Sequence, residues 1–243
     1  GKNAPGGDGV AQLSPRERLE MVQTLDLSAK AKPVRRIWIP KPGKTDMRPL
    51  GIPTMMDRAK QALVKMVLEP EWEAIFEPNS YGFRPGRGCW DAIEALHDGL
   101  HQKPKWILDA DITGCFDNIN HQALLHKLNA TPSIHRCIKG WLRAGAIDKH
   151  GFHTAEAGTP QGGVLSPLLA NVALHGMEHE VKAAMLPDLV TWYKAETGKK
   201  HTQKAQRSLT HVRYADDFIF AHQSKDVIDK LSQILVLAED QGH

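Results

Sequence analysis

Asp216 and Asp217 stand side by side between two short apolar stretches, residues 210–215 and 218–222. On a regular strand neighbouring side chains point to opposite faces, so the two carboxylates can share a site only from the turn of a hairpin. Asp-Asp is also ordinary hairpin-turn chemistry, and a catalytic reading needs a partner. Asp111 offers one, 105 residues earlier at the end of the apolar stretch 106–112. Three carboxylates at neighbouring strand ends would repel one another and hold their protons more tightly unless cations sat among them. Oxygen donors of this kind suit Mg²⁺, which keeps its waters and is shared with substrate phosphates. Two such ions a few ångströms apart stabilise the attacking and leaving oxygens of a phosphoryl transfer. Asp109 is expected to stand off the Asp111 face and to be structural.

The charges around these acids are unevenly spread. The 243 residues carry Lys+Arg 31 against Asp+Glu 28, a formal net charge of +3. Residues 30–65 hold ten basic side chains (Lys30, Lys32, Arg35, Arg36, Lys41, Lys44, Arg48, Arg58, Lys60 and Lys65) against Asp46 and Asp57, a local +8 that leaves −5 elsewhere. A second basic stretch, residues 194–207, shows no helical stripe and is expected to be an exposed loop. Either stretch could be a solvated surface or a polyanion-binding face on charge alone. With 41% hydrophobic residues the chain can bury a core, which excludes disordered and fibrous classes. Cys89, Cys115 and Cys137 form no Cys-x-x-Cys pair, so neither a disulfide framework nor a cysteine zinc site is indicated, and a reducing compartment is expected. No membrane span or signal peptide is expected. The start at Gly1 and the end just after an amphipathic stretch point to a piece of something longer.

Near the start of the chain, Ser14-Pro15 is expected to cap a helix running to about residue 25 with Leu19, Val22 and Leu25 on one side. Residues 34–40 and 47–52 form a basic hairpin around Lys41-Pro42-Gly43-Lys44. Asp57 caps a helix with Ala59, Ala62, Leu63, Met66 and Val67 as its apolar stripe, ending near Pro70. A Gly/Arg/Pro loop at 81–88 leads to a helix with Ile93, Leu96 and Leu100, and residues 105–112 form a buried strand. Two helices follow, one with Leu124, Leu125 and Leu128, the next with Ile134, Ile138, Trp141 and Leu142, closed by Gly145. After a loop at 158–163, Ser166-Pro167 opens another helix. A final helix carries Val227, Ile228, Leu231, Ile234 and Leu235. This mixture is expected to be α+β rather than a doubly wound sheet.

Five blocks in order then carry a resemblance. Tyr214-Ala215-Asp216-Asp217, with Val212-Arg213 before and Phe218-Ile219 after, resembles the Tyr-x-Asp-Asp hairpin of reverse transcriptases, in the form common among group II intron-encoded proteins. The stretches Arg48-Pro49-Leu50-Gly51-Ile52-Pro53-Thr54 and Asn79-Ser80-Tyr81-Gly82-Phe83-Arg84-Pro85-Gly86-Arg87 resemble that family's fingers blocks. Asp109-Ala110-Asp111-Ile112-Thr113-Gly114-Cys115-Phe116-Asp117-Asn118 resembles its first palm motif, although Thr113 stands where Lys or Arg is usual. Gly158-Thr159-Pro160-Gln161-Gly162-Gly163-Val164-Leu165-Ser166-Pro167 resembles the second. Together they cover nearly the whole chain.

The resemblance implies a right-hand polymerase with fingers over 1–104, including a remnant of the N-terminal extension, and palm over 105–243. The palm would be a small antiparallel sheet backed by helices, without the thumb. It implies an RNA-directed DNA polymerase, a nucleotidyltransferase that adds dNTPs to a DNA primer on an RNA template using two Mg²⁺ ions, with Mn²⁺ as a substitute. Asp111, Asp216 and Asp217 would hold the metals and be catalytic. Lys41 and Arg48 would clamp the triphosphate, while Phe116 would exclude a 2′-hydroxyl, unless it is a core phenylalanine. Ile112 and Gln161 complete the expected nucleotide contacts. Arg84, Arg87, Arg35, Arg36, Pro160 and Gly162 are expected at the template, with intrafinger acids as the other partners open to Arg84 and Arg87. The parent would bind intron RNA as a splicing maturase and act in intron mobility, in a bacterial cytoplasm and at the nucleoid when on its DNA target; a homodimer is left open. The alternatives are an RNA-binding module inactive in truncated form, a CRISPR-associated or diversity-generating reverse transcriptase, and an RNA-dependent RNA polymerase. Three weaker motifs are set aside. His175-x-x-Glu178-His179 fits a zinc pattern without an apparent third ligand, Gly43-Lys44-Thr45 lacks the earlier glycine of a phosphate loop, and Asn129-Ala130-Thr131 is a glycosylation triplet followed by Pro132.

Overall fold

A computed structural model describes residues 4–40, 43, 45–112, 114–155, 157–159 and 162–240. In chain order the elements are α1 (Pro15–Thr24), β1 (Val34–Pro40), β2 (Met47–Ile52), α2 (Met55–Glu73), α3 (Cys89–Leu100), β3 (Trp106–Asp111), α4 (Cys115–Asn118), α5 (His121–Leu128) and α6 (Pro132–Arg143). There follow β4 (Ala146–Asp148), β5 (Gly151–His153), α7 (Ser166–Leu174), α8 (Met177–Ala184), α9 (Leu186–Thr197), α10 (Thr202–Ser208), β6 (Thr210–Tyr214), β7 (Asp217–His222) and α11 (Lys225–Asp240). The architecture is α+β, as expected, and no described helix is long and apolar enough to cross a membrane.

The chain forms two compact units, each assembled from two stretches: residues 1–75 with 114–173, and residues 76–113 with 174–243. In the first unit, β1 and β2 pair antiparallel with Arg36 opposite Gly51 and Ile39 opposite Arg48. β1 also pairs in parallel with β4, which turns back as β5, giving the order β2-β1-β4-β5. Val64, Leu68, Leu124, Ile138, Leu142 and Leu168 are buried in this unit. Thr54, not Asp57, caps α2: the Thr54 hydroxyl accepts from the Asp57 N–H at 3.2 Å. Asp57 is buried one turn in, where its carboxylate accepts from the Trp141 indole at 3.0 Å and the Thr54 hydroxyl at 2.8 Å. Pro70 sits inside α2, three residues before its end. On α1 the stripe of Leu19 and Val22 is exposed rather than inward.

In the second unit the sheet order is β3-β7-β6, all antiparallel. One face packs Leu108, Ala110, Phe218 and Phe220 against Leu189 of α9, Leu209 and Leu231 of α11. α3 lies along β6, with Tyr81, Ala92 and Val212 in one buried cluster. The expectation of a buried strand at 105–112 is corrected. β3 is an edge strand whose first two residues, Trp106 and Ile107, point to opposite faces and are both about half exposed, and only Leu108 and Ala110 pack against the core. The basic stretch at 194–207 is corrected too: it is largely the end of α9 and α10, separated by a short link at Gly198.

Candidate active site

The β3–β7 register sets Asp111 directly opposite Asp217, and the β6–β7 turn carries Ala215 and Asp216. Residues directly opposite on an antiparallel pair share a face. Asp109, opposite Ile219, is two residues from Asp111 and so stands on that same face; the expectation that it points elsewhere is overturned by the period of two. The Ile112 N–H donates to the Asp216 carbonyl at 3.4 Å, tying the end of β3 to the turn. Burial, followed by the negative charges of Asp111, Asp216 and Asp109, pushes the Asp217 carboxyl above its ordinary range. Among the described residues none of these four acids joins an ion pair. Several hard-oxygen donors crowded onto one face and its adjoining turn are the donor set that a divalent cation fits. Their ligand atoms are more widely spread than a closed cage: the one described trio of donors within 4.8 Å of one another is His97, Asp98 and His101, all exposed at the end of α3.

The turn is held from behind. Ala215 has φ +60°, the left-handed conformation that costs a residue with a Cβ. The stretch 79–82 runs beside it: the Tyr81 N–H donates to the Arg213 carbonyl and the Arg213 N–H to the Asn79 carbonyl, each at 2.9 Å. Gly82 is where the two segments come closest, and a Cβ there would lie 2.3 Å from the Ala215 nitrogen. Asn79 also donates to Glu178 at 3.1 Å, and Lys182 donates to the same carboxylate at 2.6 Å. Burial opposes ionisation of Glu178, but the His211 ring and Lys182 outweigh it and hold the carboxyl down at about 2. Glu178 of the discounted zinc pattern is thus tied to Asn79 and Lys182, while His175 packs edge-on against Phe76 at 5.8 Å.

The other expected contacts divide. Arg84 is buried, donating to the Glu77 and Ser80 carbonyls at 2.9 and 2.7 Å with its guanidinium 5.1 Å from the Phe76 ring, so it braces its own loop. Arg87 donates to the Pro78 carbonyl and lies over the Tyr81 ring at 5.4 Å. Ile112 is half-buried and packs towards Phe218 and Phe220.

Within the first unit, Arg48 is exposed on β2. Gly162, at φ +106°, comes so close to β2 that a Cβ would meet the Leu50 side chain and the Gly51 carbonyl at 2.7 Å. Leu50 shares the Arg48 face by alternation, so Gly162 packs beside the face of β2 that carries Arg48. Adjacent residues cannot share a face of a strand, which separates Arg35 from Arg36. Arg36, on the other face, lines a cavity of about 270 Å³ with Pro49, Gly51, Asp117, Thr154 and Gly158. Phe116 is half-buried on α4, and its carbonyl accepts from the Thr159 N–H at 2.6 Å. Lys41, Pro160 and Gln161, with Lys44 and Thr113, lie outside the described residues. Two residues of this unit lie outside the expected contacts: Gln61, whose side-chain oxygen accepts from the Val164 N–H at 2.9 Å, and His121, bonded to the Gly158 carbonyl. Both hold the 158–165 loop across long sequence separations, which no local pattern signals.

Comparison with known proteins accords with this geometry. The family described as "Reverse transcriptase (RNA-dependent DNA polymerase)" matches residues 39–241. The chain is 34% identical over 233 residues to the group II intron-encoded protein LtrA of Lactococcus lactis subsp. cremoris, covering 78% of this chain and 39% of LtrA. It is 33% identical over 242 residues to the protein YkfC of Escherichia coli, covering 90% of this chain and 63% of YkfC. Among solved structures, telomerase from Candida albicans, in complex with a fragment of telomeric RNA, superposes with a TM-score of 0.61 at 14% identity, over 89% of this chain and 42% of that one. Apo telomerase from Candida tropicalis, truncated of its C-terminal domain, gives a TM-score of 0.57 over 98% and 55%. These likenesses show a shared fold. The chain spans well under two thirds of the length of LtrA and just under two thirds of YkfC.

Proposed function

The chain belongs to the reverse transcriptase (RNA-dependent DNA polymerase) family, and from that premise we propose that it is the fingers and palm portion of a group II intron-encoded enzyme that copies RNA into DNA. The observation that carries this reading is the β3–β7 register, which opposes Asp111 to Asp217 with Asp216 in the adjoining turn. Divalent ions, Mg²⁺ in the first place, would activate the primer hydroxyl and stabilise the pyrophosphate leaving group when bound at these three carboxylates. Arg48, exposed on β2, meets the triphosphate as a fixed cation. Phe116 stands at the sugar and disfavours a 2′-hydroxyl, and Arg36 meets template backbone at its cavity. Lys41, Gln161 and Pro160 keep the roles their motif positions imply. The functional division is fingers over 1–104 and palm over 105–243, with α3 lending its packing to the palm sheet across that boundary. The similarity to LtrA supports intron RNA as a second ligand and a splicing role for the parent protein.

Primer extension on an RNA template by the purified full-length protein tests this. Incorporation of dNTPs that requires Mg²⁺ and disappears in Asp216→Ala is the expected result. RNA binding with no extension by the wild type would replace it with an RNA-binding module, and equal use of ribonucleotides would remove the role given to Phe116.

A further inference from the structure

Arg213 is fully buried in β6, where a guanidinium with no hydrogen-bond partners would be costly. Its Nη1 donates to the Ala215 carbonyl at 2.9 Å and its Nη2 to the Ser80 hydroxyl at 2.7 Å. The planar fork therefore reaches two residues along its own chain to the left-handed corner of the turn, and 133 residues back to the stretch beside it. The Arg213 main chain is fixed on both sides by Asn79 and Tyr81, so the side chain hangs from a rigid support. What it grips is the one residue of the turn in an unfavourable conformation, immediately before Asp216. Left to itself an alanine at φ +60° gives up roughly a factor of ten in population to ordinary backbone conformations.

We propose that Arg213 is a positioning residue for the carboxylate site: with Ser80 as its anchor, it holds the Ala215 carbonyl so that the turn stays left-handed and Asp216 and Asp217 remain set against Asp111. The inference rests on the reading of these aspartates as a cation-binding set, and it adds the device that keeps them in place. A lysine cannot replace the fork, because one ammonium does not present two fixed donors in these two directions.

The test is Mn²⁺ binding to this chain, followed by electron paramagnetic resonance, with thermal melting alongside. Arg213→Lys is expected to weaken Mn²⁺ binding about tenfold, the population lost when the left-handed residue is released. Ser80→Ala, which removes only the anchor and leaves the buried charge in place, is expected to weaken it about threefold, and it carries the test if Arg213→Lys does not fold. Ala215→Gly adopts the same φ without a Cβ penalty. Combined with either variant, it is expected to restore most of the Mn²⁺ affinity while leaving the lowered melting temperature low, which a purely structural arginine would not do. Unchanged affinity in Arg213→Lys and Ser80→Ala, or a loss indifferent to Ala215→Gly, overturns the proposal. Absence of Mn²⁺ binding by the wild type overturns it together with the cation-site reading. Primer extension reports separately: a wild type that shows the expected Mn²⁺ pattern without extending primers overturns the polymerase reading and upholds the clamp.

Discussion

Replacing Gly82 by alanine tests how tightly the 79–82 stretch is fitted to the turn it supports. The new Cβ would stand 2.3 Å from the Ala215 nitrogen and 2.9 Å from the Tyr214 carbonyl carbon, both main-chain atoms that no rotamer change can move aside. If the loop swings away, it forfeits its two main-chain hydrogen bonds with Arg213, worth about 1 kcal/mol each. If the bonds are kept, the overpacked contact costs about 1–3 kcal/mol. Either route predicts a loss of about 2 kcal/mol in urea denaturation. Because the displaced atoms adjoin Asp216, primer extension should fall on the order of 10²-fold. Gly86→Ala is the control: unlike Gly82 it has a positive φ, +68°, and nothing lies within 4 Å of a Cβ, so it should lose about 1–2 kcal/mol from the backbone alone and keep its activity. A Gly82→Ala protein within about 0.5 kcal/mol of wild type and fully active would refute the close-fit reasoning.

Asp217→Asn should raise the metal-free melting temperature slightly, by the few tenths of a kcal/mol a screened repulsion is worth, while abolishing extension; a lowered melting temperature would contradict the crowding of Asp217 by Asp111, Asp216 and Asp109. His222 is buried, which brings its pKa down to about 4 from 6.5. The unfolded chain therefore binds the extra proton between these values, and stability should fall as pH drops from 6.5 through 4. Glu178, held at about 2 against an ordinary 4.5, continues that loss from pH 4.5 towards 2. His222→Gln should flatten the upper segment alone in acid-unfolding curves, and an unchanged slope would count against the assignment. Phe116→Val should admit ribonucleotides about 10- to 10²-fold better relative to dNTPs in competition assays, with no gain expected if the ring serves only packing.

The sequence made the hairpins and most helix boundaries visible because capping residues and apolar periodicity are local signals: Ser14-Pro15 opens α1 and the 34–40 and 47–52 strands fall where expected. The Asp111–Asp217 pairing was readable only through ordered motifs, since register between strands a hundred residues apart leaves no periodic trace. The Arg84 contacts leave no trace in the sequence, because an arginine in a glycine-rich loop has the same letters whether it meets a phosphate or its own carbonyls. Arg213, Gln61 and His121 lie outside the expected site set for a related reason: each has a partner brought close only by tertiary structure, the Ser80 hydroxyl for Arg213 and main-chain atoms of residues 164 and 158 for the other two. The edge position of β3 was hidden because Trp106 and Ile107 are as apolar as any core strand.

That edge has a consequence during synthesis. Among the described residues β3 pairs with β7 alone, and the β7 residues emerge from the ribosome about a hundred positions after it. At roughly 5–20 residues per second, the strand carrying Asp109 and Asp111 waits on the order of 5–20 s with its hydrogen-bonding groups unmet and Trp106 and Ile107 bare. The two acids spaced along it then act as gatekeepers, charges that discourage nascent chains from pairing with one another until the correct partner arrives.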